Sequence, residues 1–141
     1  MPSPGLEARL QRARYALERL RRAARTPWED YIADRDLQDI VERNLHILLE
    51  AILDLAAYIA SRRGFVREAS YKGLMKALLE NNIIPREMAS LAFSVAGMRN
   101  ILVHGYADIR QDIVYETIRE DLGRLAELLA ILAAEAEALD P

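Results

Sequence analysis

The 141 residues include no cysteine, so neither a disulfide framework nor a thiolate metal site can be built. A zinc ion would have to use His46 and His104 with carboxylates, and nothing spaces those residues for it, so neither metal nor cofactor is expected. Lysine is almost missing too. Of 19 basic residues only Lys72 and Lys76 are lysines. An excess of positive charge is absent, and a net charge of -3 argues against a general nucleic-acid coat. The opening Met1-Pro2-Ser3-Pro4-Gly5 has no basic region followed by an apolar stretch, and no run approaches the length that spans a bilayer. A cytoplasmic protein with no membrane partner is the reading.

What is there suits one domain, 1–141, since 52% hydrophobic residues are ample for a single core at this length. Charge is unevenly spread: residues 7–25 hold seven arginines against Glu7 and Glu18, and residues 112–140 hold eight acids against Arg119 and Arg124. Two solvated helix faces that pair with each other are the simpler account. A basic docking strip for RNA is the other.

Apolar residues recur at helical spacing nearly throughout. Leu6, Leu10, Ala13, Leu17, Leu20 and Ala24 mark a first helix ending near Arg25. Thr26-Pro27-Trp28-Glu29 reads as a capping box with Pro at the first helical position, opening a short helix that stops near Asp34. A long helix follows from about Asp36 to Arg63 with Leu37, Val41, Leu45, Leu48, Ile52, Leu55 and Ile59 on one side, closed by Gly64. Ser70 caps a helix reaching about Asn81, Pro85 starts one that runs to Gly105, and Asp108 with Gln111 marks the entrance to a last helix reaching about Leu139. No alternating segment is long enough for a strand. The fold expected is all-α, an up-and-down helical bundle of four to five helices.

The helix ending at Gly105 carries the densest chemistry, in Arg99-Asn100-Ile101-Leu102-Val103-His104-Gly105-Tyr106. An arginine can hold a phosphate bidentately, a histidine can move a proton near neutral pH, and a phenol can accept a transferred group. Leu91, Val95, Met98 and Leu102 form a narrow stripe that faces the core. Opposite it lies a second uncharged stripe, Phe93, Gly97, Asn100 and His104, with Ala89 and Ala96 beside it. Such a helix is either central in its own bundle or half of a two-fold subunit interface, and the small residues, which let helices approach closely, favour the interface. Arg99 and His104 lie about 140° apart on an ideal helix, so a shared phosphate requires reach, distortion, or completion of the pair across a dimer. On the long helix Asp39, Arg43, His46 and Glu50 share the face away from the core, either as a solvated stripe with an Asp39–Arg43 ion pair or as a wall of the same cleft. Tyr15, Tyr31, Tyr58, Tyr71 and Tyr115 read as packing residues.

The order Arg-x4-His-x-Tyr resembles the signature of the HEPN superfamily, specifically its HepT-like ribonuclease toxins, which pair with a minimal nucleotidyltransferase antitoxin in type VII toxin-antitoxin systems. The resemblance extends to Asn100, Gly105 and Tyr106, to Asp108-Ile109 and Val114-Tyr115, and to Asp39-Ile40-Val41-Glu42-Arg43-Asn44-Leu45. It implies a symmetric homodimer and a metal-independent endoribonuclease that leaves a 2',3'-cyclic phosphate. Arg99 and His104 would be catalytic, supported by Asn100, Asp39, Glu42 and Arg43. It further implies silencing by AMP transfer from the partner nucleotidyltransferase to Tyr106. The alternatives are a non-catalytic subunit that binds nucleotide or recruits a nucleotidyltransferase, and a purely structural helical dimer.

Overall fold

A computed structural model of the chain describes residues 4–65, 70–105 and 109–139, and all of its regular structure there is helical. Seven α-helices follow in order: α1 (Pro4–Ala23), α2 (Trp28–Ala33), α3 (Arg35–Arg63), α4 (Tyr71–Glu80), α5 (Ala89–His104), α6 (Gln111–Glu116) and α7 (Leu122–Leu139). A short 3-10 turn, Arg86–Met88, leads into α5 after Pro85. A π-helical stretch, Thr117–Asp121, joins α6 to α7, so these form one continuous rod.

Helix α3 is the axis of the bundle and packs on α1, α2, α4, α5 and α7. Its position follows from its composition: Val41, Leu45, Leu48, Ile52, Leu55 and Ile59 are all buried, and so are Leu49, Leu53, Ala56 and Ala60 on its flanks. Each large apolar side chain so buried contributes about 2 kcal/mol. Among the described residues α3 alone is long and apolar enough to cross a membrane, contrary to the expectation that no run approaches that length. Most of the qualifying window is buried inside the bundle, which accounts for its apolar character. The α1 seam is also buried at Leu6, Leu10, Ala13, Leu17 and Leu20.

The helix ends are set by a few local contacts. Asp34, not a residue inside the helix, caps α3: its carboxylate accepts the Leu37 N–H at 3.0 Å. The expected capping box at Thr26 does not form. Pro27 flanks α2 without a side-chain cap, and the Thr26 carbonyl instead accepts the Tyr115 hydroxyl at 2.6 Å. Arg110, without a side-chain cap, precedes α6, while Asp108 lies outside the described residues. Two other ends are as expected. Ser70 accepts the Gly73 N–H at 3.1 Å, and Gly64 closes α3 at φ 69°, a conformation glycine adopts without strain.

Candidate active site

Helix α5 places the octad. Its inner stripe is anchored by Leu91 and Val95, which are buried, and by Met98 and Leu102, which pack partly buried against the core. The opposite stripe is exposed in the single chain: Phe93, Gly97, Asn100 and His104 all face outward. A Cβ added at Gly97 would meet nothing within 4 Å, so the protomer's own packing does not require glycine there. Because α5 stays α-helical through His104, Arg99 and His104 diverge as the helical wheel requires.

Arg99 turns toward α3. Its Nε–H donates to Glu50 Oε2 at 2.8 Å, and an Nη1–H donates to Asn100 Oδ1 at 3.1 Å. Among the described residues Nη2 makes no hydrogen bond. His46 Nε2 lies 3.3 Å from the same Glu50 oxygen, so one carboxylate joins two cation-forming groups from α3 and α5. Burial alone would raise the Glu50 carboxyl, but hydrogen bonds and charge from Arg99 and then from His46 outweigh it and hold that group below the usual carboxylate range. The Glu50 hydrogen bond in turn holds the guanidinium more firmly protonated against its own partial desolvation. One turn further along α3, burial raises the Asp54 carboxyl, with Arg9 opposing and Glu50 assisting.

The other expected supporting residues lie elsewhere along α3. Asp39 and Arg43 are both exposed and form no ion pair with each other among the described residues; they line a groove against α1. Glu42 accepts Gln111 Nε2 at 2.6 Å, and Gln111 Oε1 accepts the Tyr31 hydroxyl at 2.6 Å. That chain ties α2, α3 and the start of α6 together, with Tyr31 stacked among Trp28 and Tyr115. Burial first and the Glu42 charge second push the Tyr31 phenol well above its ordinary range. Glu42 therefore braces the start of α6 and, among the described residues, forms no hydrogen bond or ion pair with Arg99 or His104.

His104 is exposed at the last position of α5 and makes no hydrogen bond among the described residues. Gly105 then lets the chain turn, its N–H donating to the Ile101 carbonyl at 2.8 Å. The requirement for glycine is close approach, since a Cβ there would sit 2.7 Å from that carbonyl oxygen, while φ is an ordinary -95°. Tyr106, the expected AMP acceptor, lies outside the described residues. Among the described residues no three His, Asp or Glu side chains gather to hold a metal ion. Sequence reasoning put Glu50 on the right face of α3 without singling it out; its offset of four from His46 was the available signal.

Known proteins resemble this chain in sequence and fold. The family model for ribonuclease HepT-like proteins covers residues 13–132. A Shewanella oneidensis protein named mRNA nuclease HepT is 29% identical over 102 residues, 72% of this chain and 77% of that one. An Aphanizomenon flos-aquae protein named tRNA nuclease HepT is 27% identical over 113 residues, 80% of this chain and 77% of that one. Among solved structures, the tri-AMPylated Shewanella oneidensis HEPN toxin in complex with MNT antitoxin superposes with a TM-score of 0.81 at 23% identity, over 94% of this chain and 98% of that one. A toxin-antitoxin complex with AMP-PNP gives 0.80 at 22% identity, over 92% and 97%. These superpositions share the fold. With the family model spanning most of the chain, this protein belongs to the ribonuclease HepT-like family.

Proposed function

We propose that this protein is the ribonuclease toxin of a toxin-antitoxin pair, acting in the cytoplasm as a homodimer whose cleft combines Arg99 and His104. The observation that carries the reading is Arg99: Glu50 fixes its Nε side, and its Nη2 end is left for a phosphate. In the reaction the ribose 2'-oxygen bonds to phosphorus and the bond from phosphorus to the 5'-oxygen breaks. A proton leaves the 2'-hydroxyl and one reaches the 5'-oxygen, with His104 assisting transfer. Arg99 stabilises the extra negative charge on the equatorial oxygens. The products are a 2',3'-cyclic phosphate and a 5'-hydroxyl, and DNA, lacking the nucleophile, is not cut. A subunit that only bound nucleotide would have no use for His104.

Purified protein is expected to cleave RNA in the presence of a chelator. His104→Ala and Arg99→Ala should each lose roughly two orders of magnitude in rate while staying folded. A strict magnesium requirement, or normal cutting by His104→Ala, contradicts the mechanism.

The partner is a minimal nucleotidyltransferase, and its expected action is AMP transfer to Tyr106. Each AMP brings a phosphodiester charge and a bulky nucleoside near Arg99, which blocks the phosphate site. Incubation with that partner and ATP should add AMP mass units to wild type and none to Tyr106→Phe. Inhibition of an unmodified wild type would point to neutralisation by binding alone.

A further inference from the structure

Helix α1 carries a second feature that the reaction above does not use. An open groove of about 590 Å³ runs between α1 and α3, lined by Arg12, Tyr15, Arg19, Ile40 and Arg43, with Asp39 the one acid among its walls. It continues at one end past Arg22. At the other end it shares Arg12 and Arg43 with a depression that holds Arg9, His46, Glu50 and Asp54. Glu50 is the residue that holds Arg99, so the groove leads to the candidate catalytic arginine.

Three properties of the groove point to one kind of occupant. First, its charge is uncommitted to acids: among the described residues the side chains of Arg12, Arg22 and Arg43 make no hydrogen bond or ion pair, and Arg19 reaches back along its own helix, donating to the Tyr15 hydroxyl at 3.0 Å with its guanidinium 5.5 Å from the centre of that ring. The acidic last helix takes just Arg14 from this face-rich helix, pairing it with Glu137 at 3.8 Å. Second, the cations and the aromatic fall on one side of α1. Residues 12, 15, 19 and 22 are spaced by three, four and three, whereas Arg14 and Arg21 point the other way. Third, the groove is not purely ionic. Tyr15 is 59% exposed and Ile40 38% exposed, contrary to the packing role the sequence suggested for Tyr15.

We infer that the groove between α1 and α3 is a track for single-stranded RNA, in which Arg12, Arg19 and Arg43 neutralise phosphates and Tyr15 stacks a base. The inference rests on the reading of the protein as an RNA-cutting enzyme and extends it to the part of the strand beyond the scissile phosphate. Isolated phosphate or an acidic peptide would use the cations and leave the exposed phenol ring idle. A single strand uses both, because its bases are free to stack. The negative total charge is no obstacle, since the potential that matters is local to the groove.

The test is fluorescence anisotropy with a labelled, fully 2'-O-methylated 15-residue RNA, which cannot be cut by a 2'-hydroxyl mechanism. Arg12→Glu/Arg19→Glu should bind at least about tenfold more weakly, and the slope of log affinity against log salt should shrink by at least about 1.4, for two lost phosphate contacts. Tyr15→Ala should weaken binding by about tenfold with the salt slope unchanged. The control Arg14→Glu/Arg21→Glu makes the same charge change on the other side of α1 and should lose far less. Equal losses in control and groove variants overturn the inference, as does wild-type affinity in the groove variants or no binding by wild type. Conversion of the groove variants to monomers by light scattering also overturns it, since the groove would then be a subunit contact. Wild type that binds this strand but leaves the unmodified RNA intact would sink the nuclease reading and leave the track standing.

Discussion

Glu50 serves two partners with one oxygen, and the consequence is that Arg99 is oriented before any substrate arrives. With side chains 22% and 32% exposed, the Arg99–Glu50 pair is worth about 1 kcal/mol of stability, which is less than its value in fixing a guanidinium within reach of a phosphate. Glu50→Gln is expected to lower the cleavage rate by about tenfold through lost positioning, with Glu50→Asp recovering part of it, as read by single-turnover kinetics. A role confined to stability would lower the melting temperature and leave the rate per folded molecule unchanged. The folded pKa of Glu50 is depressed, so its contribution to stability is present above the unfolded carboxylate pKa and is lost as pH falls through the lower folded value. Acid unfolding of Glu50→Gln should therefore show a shallower pH dependence in that window than wild type.

At the scale of the element, α5 is a helix with two buried-type faces of which the single chain buries one. Gly97 has open space around it, so Gly97→Arg should fold as the wild type does by circular dichroism. It should still weaken the dimer, because bulk at a close helix crossing forces backbones apart. A Gly97→Arg protein that sediments as a wild-type dimer removes this face from the interface. Both stripes of α5 were legible in the sequence because they depend only on the helical repeat and on side-chain size. The axis role of α3 was not, because its apolar stripe reads as lying on one side, whereas Leu49, Leu53 and Ala56 are buried as well. The π-helical stretch in the last rod was not. Thr117 Oγ1–H donates back to the Ile113 carbonyl at 2.9 Å, and Ile118 and Leu122 on either side of the stretch's centre are both buried. Nothing in residue type distinguishes that turn from an ordinary one. The Thr26 box was misplaced by one residue: α2 starts at Trp28, so Pro27 rather than Thr26 stands at its N-cap and offers no side-chain acceptor.

At the scale of the whole molecule, the expected pairing of basic α1 with the acidic last helix comes down to the Arg14–Glu137 contact, and the other α1 arginines face the groove or solvent. Motif spacing alone pointed to the candidate phosphate site, while the Glu50 tether and the groove depended on which faces of α1, α3 and α5 come together. Arg99 and His104 diverge on one straight helix, and the central claim of the proposal is a two-fold cleft that completes the pair between protomers. Mixing two inactive homodimers tests it most directly. When Arg99→Ala and His104→Ala proteins are unfolded and refolded together, each heterodimer holds one site with Arg99 from one protomer and His104 from the other. The account predicts recovery of RNA cleavage to about a quarter of the wild-type level, from half the molecules carrying one working site of two. Heterodimers that form, by mass, yet cut no better than either parent would show that both groups act from the same chain and would contradict the composite site.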